Sequence, residues 1–315
     1  MQEILMLKPI FQERIWGGTR LRDYFDYEIE SEETGECWAI SAHRNGDCRV
    51  MNGELEGQTL SQVYEKHREL FGNSESPVFP LLTKILDASS DLSVQVHPDD
   101  EYALKYEDDL GKTECWYIID CDEDAEMIFG HRARTRKELE EMIDEGKWSE
   151  LLERISIKPG DFFYVPSGTI HALCKGTLVL ETQQSSDTTY RVYDYDRTDA
   201  EGNRRELHIE EAKKVSRVPH KGDPVKPEVR EEGHLTITSY VSTEFFTVEK
   251  WAVHGTQEKS LEEFTLVSVL SGEGSVNGLK VVKGDHFILT SFCKAASLSG
   301  EMELMVSWVE KLPCR

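Results

Sequence analysis

The sequence predicts a mainly β fold: two related β-barrels, with a few helices packed beside the first. Three observations carry that expectation. Short runs rich in β-branched and aromatic residues recur between Gly, Pro and Asp punctuation. The stretch Gly160-Asp161-Phe162-Phe163-Tyr164-Val165-Pro166-Ser167-Gly168-Thr169-Ile170-His171 reads as a short strand, a Pro/Gly turn and a histidine placed to face inward. Finally, Ile157-Lys158-Pro159-Gly160-Asp161-Phe162-Phe163 has an echo in Val281-Val282-Lys283-Gly284-Asp285-His286-Phe287. The second copy ends Leu289-Thr290-Ser291-Phe292, without the turn and its histidine. A degenerate, metal-free second barrel is expected from it.

In chain order, strands are expected at Leu92–Val96, Cys115–Ile119, Asp161–Val165, Leu178–Thr182, Thr189–Tyr193, Leu235–Tyr240, Thr265–Leu270 and His286–Thr290. A helix is expected over Thr59–Leu70, starting at a Thr-Leu-Ser cap region. A second spans Thr135–Arg154, with Leu139, Met142, Ile143, Trp148, Leu151 and Leu152 near helical spacing and Gly146 splitting it. A third covers His208–Val215. The Pro/Gly/Lys-rich piece Pro219–Pro227 reads as a linker. It divides the chain into a first domain over residues 1–218, with helical additions, and a C-terminal β domain over 228–315. Gly272-Glu273-Gly274 lies in β-type sequence and is expected to be a hairpin turn, not a nucleotide loop.

Composition removes several function classes. The net charge of −24 argues against nucleic acid and against an anionic membrane surface as partners. No apolar run approaches the roughly 20 residues of a membrane helix. The first residues lack a basic n-region and a long apolar core, and the seven cysteines form no CxxC pair. A reducing, cytoplasmic setting is the expectation. The sequence does not fix an oligomeric state.

Strand alternation puts Leu92, Val94 and Val96 on one face and Ser93, Gln95 and His97 on the other, the interior. The same rule puts Glu114 beside Trp116, and the turn at Pro166–Gly168 returns His171 to the same cavity. Two imidazoles, a carboxylate and an amide form a ligand set for a divalent metal that leaves positions open for substrate or water. Zn²⁺ is the default, with Mn²⁺ or Fe²⁺ as alternatives. Gln95 could instead orient a water or His97. His43, His67, His131, His208, His220, His234, His254 and His286 are read as structural or surface residues.

The spacing of Gly160, Pro166, Gly168 and His171 resembles the second motif of the cupin superfamily. The fuller set resembles the type I mannose-6-phosphate isomerases (phosphomannose isomerases), in their short bacterial form, over nearly the whole chain. It includes Lys8 to Gly18, Gly35-Glu36-Cys37-Trp38-Ala39, Phe79 to Asp87, Leu92 to Pro98, Gly111-Lys112-Thr113-Glu114-Cys115-Trp116-Tyr117 and Leu180 to Arg191. The cupin motif alone says little about function. The resemblance implies a double cupin-like jelly roll, with the catalytic cupin in residues 1–218. It also implies one Zn²⁺ per chain, held by Gln95, His97, Glu114 and His171. Arg191 would be the active-site arginine, and Lys84, Lys112 and Glu181 other pocket positions. Gln-x-His replaces the usual cupin His-x-His, as it does in this isomerase family, and Lys175 stands near the position of a later cupin Asn. The short form lacks the helical insertion of longer members.

The implied reaction is interconversion of mannose 6-phosphate and fructose 6-phosphate, a step of carbohydrate metabolism. The C2 proton leaves, a cis-enediol forms and a proton returns to C1. Developing negative charge needs a metal or an arginine, here Arg191. Glu181 and Lys112 are rival proton shuttles. Ser93 and Arg197 are candidate phosphate contacts, with Arg14 a weaker one. Two other readings are a non-catalytic sugar-binding cupin and an Fe-dependent cupin dioxygenase.

Overall fold

The computed structural model describes residues 2–198, 202–222 and 224–310. The protein is mainly β, with short helices. A six-stranded antiparallel sheet runs in the order Phe162–Val165, Glu114–Cys121, Thr177–Gln184, Leu81–Ala88, Thr34–Ile40, Ile10–Gly18. A five-stranded sheet runs Leu152–Ser156, Glu126–His131, His171–Leu173, Val94–Val96, Tyr190–Tyr193. Their facing sides enclose one apolar cluster, which takes Leu86, Trp116 and Val179 from the first sheet and Met127 and Leu173 from the second.

The other side of the five-stranded sheet is covered by helices. Val94, Val96 and Ala172 pack there against Leu139, Ile143, Leu151 and Ala212. The far side of the six-stranded sheet meets a nine-stranded sheet built mostly by the C-terminal segment, through Ile85, Leu180, Leu266, Ile288 and Met305. That third sheet has its own core, with Trp251, Val267, Phe287 and Leu304. It also contains Ile4–Lys8, which pairs antiparallel with His286–Leu289. The strand Ile4–Lys8 therefore sits in the sheet that also holds the strand Ala295–Trp308.

The sequence echo is a repeated turn. Gly160 and Gly284 have φ of 91° and 92°, a region where a side chain is strained. In each copy the aspartate that follows accepts a backbone N–H three residues back: Lys158 to Asp161 at 3.0 Å, Val282 to Asp285 at 2.8 Å. Each turn then launches a strand, Phe162–Val165 or His286–Leu289.

Several expectations need correction. The helix at Thr59 runs only over Leu60–Lys66, closed by a Thr59–Gln62 capping box, and a 3₁₀ turn follows at Arg68–Phe71. The Thr135–Arg154 segment forms helices Arg136–Asp144 and Trp148–Leu151, and Leu152–Ser156 becomes an edge strand. The third helix is Ile209–Val215. Leu92 precedes its strand and joins the interior cluster, unlike Val94 and Val96. Gly272 and Gly274 lie inside the strand Thr265–Val276, opposite Met302 and Gly300. The turn is at Asn277 and Gly278, both at positive φ, which is the Asn-Gly signature of a tight hairpin. Within the Pro219–Pro227 linker, Asp223 lies outside the described residues. The rest of the linker has no regular secondary structure.

Gly168 ties the fold to the site. Its N–H donates to the His97 carbonyl at 2.8 Å, and its carbonyl accepts from Arg217 N at 2.8 Å. Its φ is +81°, and a Cβ would lie 2.7 Å from the Val215 carbonyl oxygen. Gly168→Ala is therefore expected to destabilise the protein by about 1–3 kcal/mol, measured by denaturant unfolding. An unchanged midpoint would show that the turn is not constrained.

Candidate metal centre and active-site cavity

Strand register delivers the site. His171 pairs directly with Gln95, and Gln95 also pairs with Arg191 on the other flank. On the facing sheet, Glu114 pairs with Gln183, Trp116 with Glu181, and Glu181 with Lys84. Side chains of both sheets therefore converge on the space between them. The Trp116 ring lies edge-on to His171, with centroids 5.1 Å apart.

His97, Glu114 and His171 are buried, and their ligand atoms lie within 4.8 Å of one another. Glu114 Oε1 is 3.1 Å from His171 Nε2, and Oε2 is 3.5 Å from His97 Nε2. Backbone carbonyls set both tautomers. His97 Nδ1 donates to Thr188 at 3.0 Å and His171 Nδ1 to Thr169 at 2.9 Å, so both Nε2 lone pairs face Glu114. Neither Glu114 oxygen, nor His171 Nε2, has a hydrogen bond of good geometry among the described residues. Burying such groups without partners is costly. These atoms fit a divalent cation, and the Gln95 amide lies on the neighbouring strand position.

The electrostatics agree. Burial, aided by Lys112, holds the His97 imidazole well below the usual histidine range, so it is neutral and able to ligate. Burial opposes ionisation of Glu114, but the neighbouring Lys112 ammonium, the largest of the opposing influences, helps hold the carboxyl well below its ordinary range. Lys112 Nζ is 2.9 Å from Glu114 Oε2 and 3.2 Å from His97 Nε2. Burial pulls Lys112 down, yet Glu114 and Glu181 more than compensate and keep it an ammonium. A cation on Glu114 would weaken that support and push Lys112 downward, as the sequence reading expected. Glu181 goes the other way: burial raises it, although Lys112 and the 2.9 Å bond that Trp116 Nε1 donates to its Oε1 both oppose the rise.

A cavity of about 230 Å³ opens beside this cluster. Lys84, Ser93, Gln95, Lys112, Glu181 and Arg191 all line it. Lys84 is buried, 3.6 Å from Asp187 and 3.9 Å from Glu36, with its ammonium over the Trp38 ring. Arg191 donates through Nη1 to the Glu206 carbonyl at 2.7 Å, while its buried Nε has no hydrogen-bond partner among the described residues. Arg14 lines the cavity and grips Glu36 with two 3.0 Å bonds. Arg197 does not line it. Its guanidinium is held by Asp194 and the Asp91 carbonyl. Arg205, which the sequence reading passed over, lines the cavity in its place.

Residues 4–132 match the phosphomannose isomerase type I catalytic domain, and residues 236–309 match the mannose-6-phosphate isomerase cupin domain. A probable mannose-6-phosphate isomerase of Bacillus subtilis is 55% identical over 313 residues, covering 98% of this chain and 99% of the relative. The chain belongs to the type I phosphomannose isomerase family. A Streptococcus mutans mannose-6-phosphate isomerase is 52% identical over 98% of both chains. The crystal structure of the mannose 6-phosphate isomerase from Bacillus subtilis superposes with a TM-score of 0.95 at 52% identity, over 98% of this chain and 100% of that one. A phosphomannose isomerase from Salmonella typhimurium shares the fold at TM-score 0.82, with only 15% identity.

For this phosphomannose isomerase family member, one supporting residue carried no signal in the sequence. Asp109 Oδ2 accepts from Ser186 Oγ and Thr188 Oγ1 at 3.0 Å each, and from Asp187 N at 3.3 Å. It thereby fixes the loop whose Thr188 carbonyl orients His97. Only the run Ser185-Ser186-Asp187-Thr188-Thr189 hinted that such an anchor was needed.

If Glu114 completes the metal set, Glu114→Gln should retain divalent metal at least about tenfold more weakly. Dialysis against a weak chelator followed by elemental analysis measures this, and retention equal to the wild type would remove Glu114 from the ligand set.

Proposed function

We infer that the protein is a metal-dependent mannose-6-phosphate isomerase, interconverting mannose 6-phosphate and fructose 6-phosphate through a cis-enediol. One observation carries the reading. The buried His97–Glu114–His171 cluster adjoins a cavity whose described lining holds five cationic side chains against three carboxylates, on a chain of net charge −24. A local positive excess on so acidic a protein suits an anionic substrate. The full-length relatives favour this over the dioxygenase and sugar-binding readings.

Gln95, His97, Glu114 and His171 would hold one Zn²⁺, which when bound supplies Lewis-acid polarisation of a sugar oxygen. Glu181, raised by burial, is assigned to take the C2 proton and return it to C1. Lys112 is assigned to offset charge on the enediolate, and Arg191, whose Nε–H has no partner among the described residues, to donate to the same oxygens. Lys84 and Ser93 are assigned to substrate binding, and Arg205 is assigned to the phosphate in place of Arg197. Residues 1–218 form the catalytic domain and 228–315 a metal-free partner that borrows Ile4–Lys8. The described cysteines are all free thiols, which suits a reducing cytoplasm.

Turnover of mannose 6-phosphate by purified protein should be abolished by a chelator and by His97→Ala. It should fall by about 10²–10³ in Arg191→Ala, judged by the usual loss for one donor to a developing oxyanion. Sugar-phosphate binding with no turnover in the metal-loaded wild type would overturn the isomerase assignment.

The proton shuttle has its own test. Lys112 is the strongest influence lowering Glu181. Removing it in Lys112→Met lets Glu181 rise further, so the acid limb of kcat/KM moves to higher pH, with metal content checked alongside. A limb that instead disappears would make Lys112 the titrating base.

A further inference from the structure

A second and larger cavity, of about 380 Å³, lies on the nine-stranded sheet, away from the metal cluster. Its size falls within the roughly 300–1,000 Å³ of ordinary ligand pockets. Glu249, Trp251, Lys259 and Thr265 line it, with Arg230 on the adjoining edge and Trp308 from the last strand. It repeats a device from the active-site cavity. Glu36-Cys37-Trp38-Ala39 recurs as Glu249-Lys250-Trp251-Ala252. In both, the indole N–H donates to the glutamate two residues earlier, at 2.6 Å and 2.7 Å. In both, an arginine grips that glutamate, Arg14 at 3.0 Å and Arg230 at 2.9 Å. In both, a lysine lies over the indole, Lys84 at 4.4 Å and Lys259 at 5.9 Å.

The wall is rigid and retains free valence. Glu249 is buried and accepts from Arg230, Ser239 Oγ and Trp251, so among the described residues about one of its four carboxylate lone-pair sites is left. Arg230 donates to Glu232, Ser239 and Glu249, which among the described residues leaves two of its five N–H groups. Lys259 is held by Glu232 at 2.9 Å. Planar polar groups already fixed by their neighbours, beside indoles, suit a ring of hydroxyls that both donate and accept.

Charge decides what kind of sugar. Among the described lining residues, Arg230 and Lys259 face Glu249, Glu262, Glu263 and Glu310. The balance is negative, opposite to the active-site cavity, so a phosphorylated sugar is disfavoured. We propose that this cavity binds an uncharged sugar, through the Glu249–Arg230–Trp251 wall and Trp308, without turning it over. Among the described residues, His97, Glu114 and His171 form the metal-capable cluster, and none of them is here.

The test titrates full-length, metal-loaded protein with D-mannose and D-glucose, followed by calorimetry and tryptophan fluorescence. At least one sugar should bind, Arg191→Ala should leave that binding intact, and excess mannose 6-phosphate should not displace it. Glu249→Gln and Trp308→Ala should each weaken it about tenfold, the scale of one lost contact, while isomerase turnover stays at the wild-type rate. Trp308→Ala keeps the test informative should Glu249→Gln fold poorly. The proposal is overturned if neither sugar binds. It is equally overturned if binding vanishes in Arg191→Ala or is displaced by mannose 6-phosphate, since the sugar would then sit in the first cavity. Wild-type affinity in both wall variants would also overturn it.

Discussion

The Glu114 carboxylate is the constraint around which the rest is arranged. It is fully buried and ionised, between two imidazoles and one ammonium. A charge removed from water must be compensated nearby or it neutralises. Lys112 compensates it in part, at 2.9 Å from one oxygen. The remaining lone pairs, with two imidazole nitrogens turned toward them by Thr188 and Thr169, have the donor character of a cation site. Keeping the His97 imidazole neutral and the Glu114 carboxylate ionised is the protonation pattern that metal binding requires.

The layers exist to hold that arrangement still. Helices cover the outside of the five-stranded sheet through Val94, Val96 and Ala172. The C-terminal sheet covers the outside of the six-stranded one through Ile85 and Leu180. Odd and even residues of the same strands therefore serve two masters, with apolar side chains outward to the supports and Gln95, Glu114 and Glu181 inward to the site. A one-residue slip of Thr177–Gln184 would exchange Glu181 for Leu180. Pairing along its whole length with Leu81–Ala88, and over most of it with Glu114–Cys121, opposes such a slip.

Much of this was legible from alternation and turn chemistry. Strand alternation and the Pro166–Gly168 turn brought His97, Glu114 and His171 together, with Gln95 on the strand position that pairs with His171, and the Gly160 and Gly284 turns could be paired because glycine and aspartate leave a local signature. Long-range geometry left no such mark. Arg197 and Arg205 are equally arginine in the sequence; only the fold shows that Asp194 holds both, that the Asp91 carbonyl also takes Arg197, and that Arg205 alone of the two reaches the cavity lining. Asp109 stands in an acidic stretch, and its role depends on a loop almost 80 residues away. The stop of the Thr135 helix and the start of the Leu152 strand were hidden because Leu151 and Leu152 satisfy a helical period and a sheet edge alike.

The repeated Glu-x-Trp unit shows how one fold can separate two binding preferences. In both cavities the indole and an arginine immobilise the glutamate, so the local geometry is nearly the same. What differs is the charge added around it. Lys112, Arg191 and Arg205 join the first cavity, whereas Glu262, Glu263 and Glu310 join the second. The first set sits beside ligand atoms for a metal and can stabilise an anion; the second surrounds the same wall with repulsion toward phosphate. Discrimination between a sugar and its phosphate then comes from opposing fields over a common scaffold, an attractive element in one place and a repulsive one in the other.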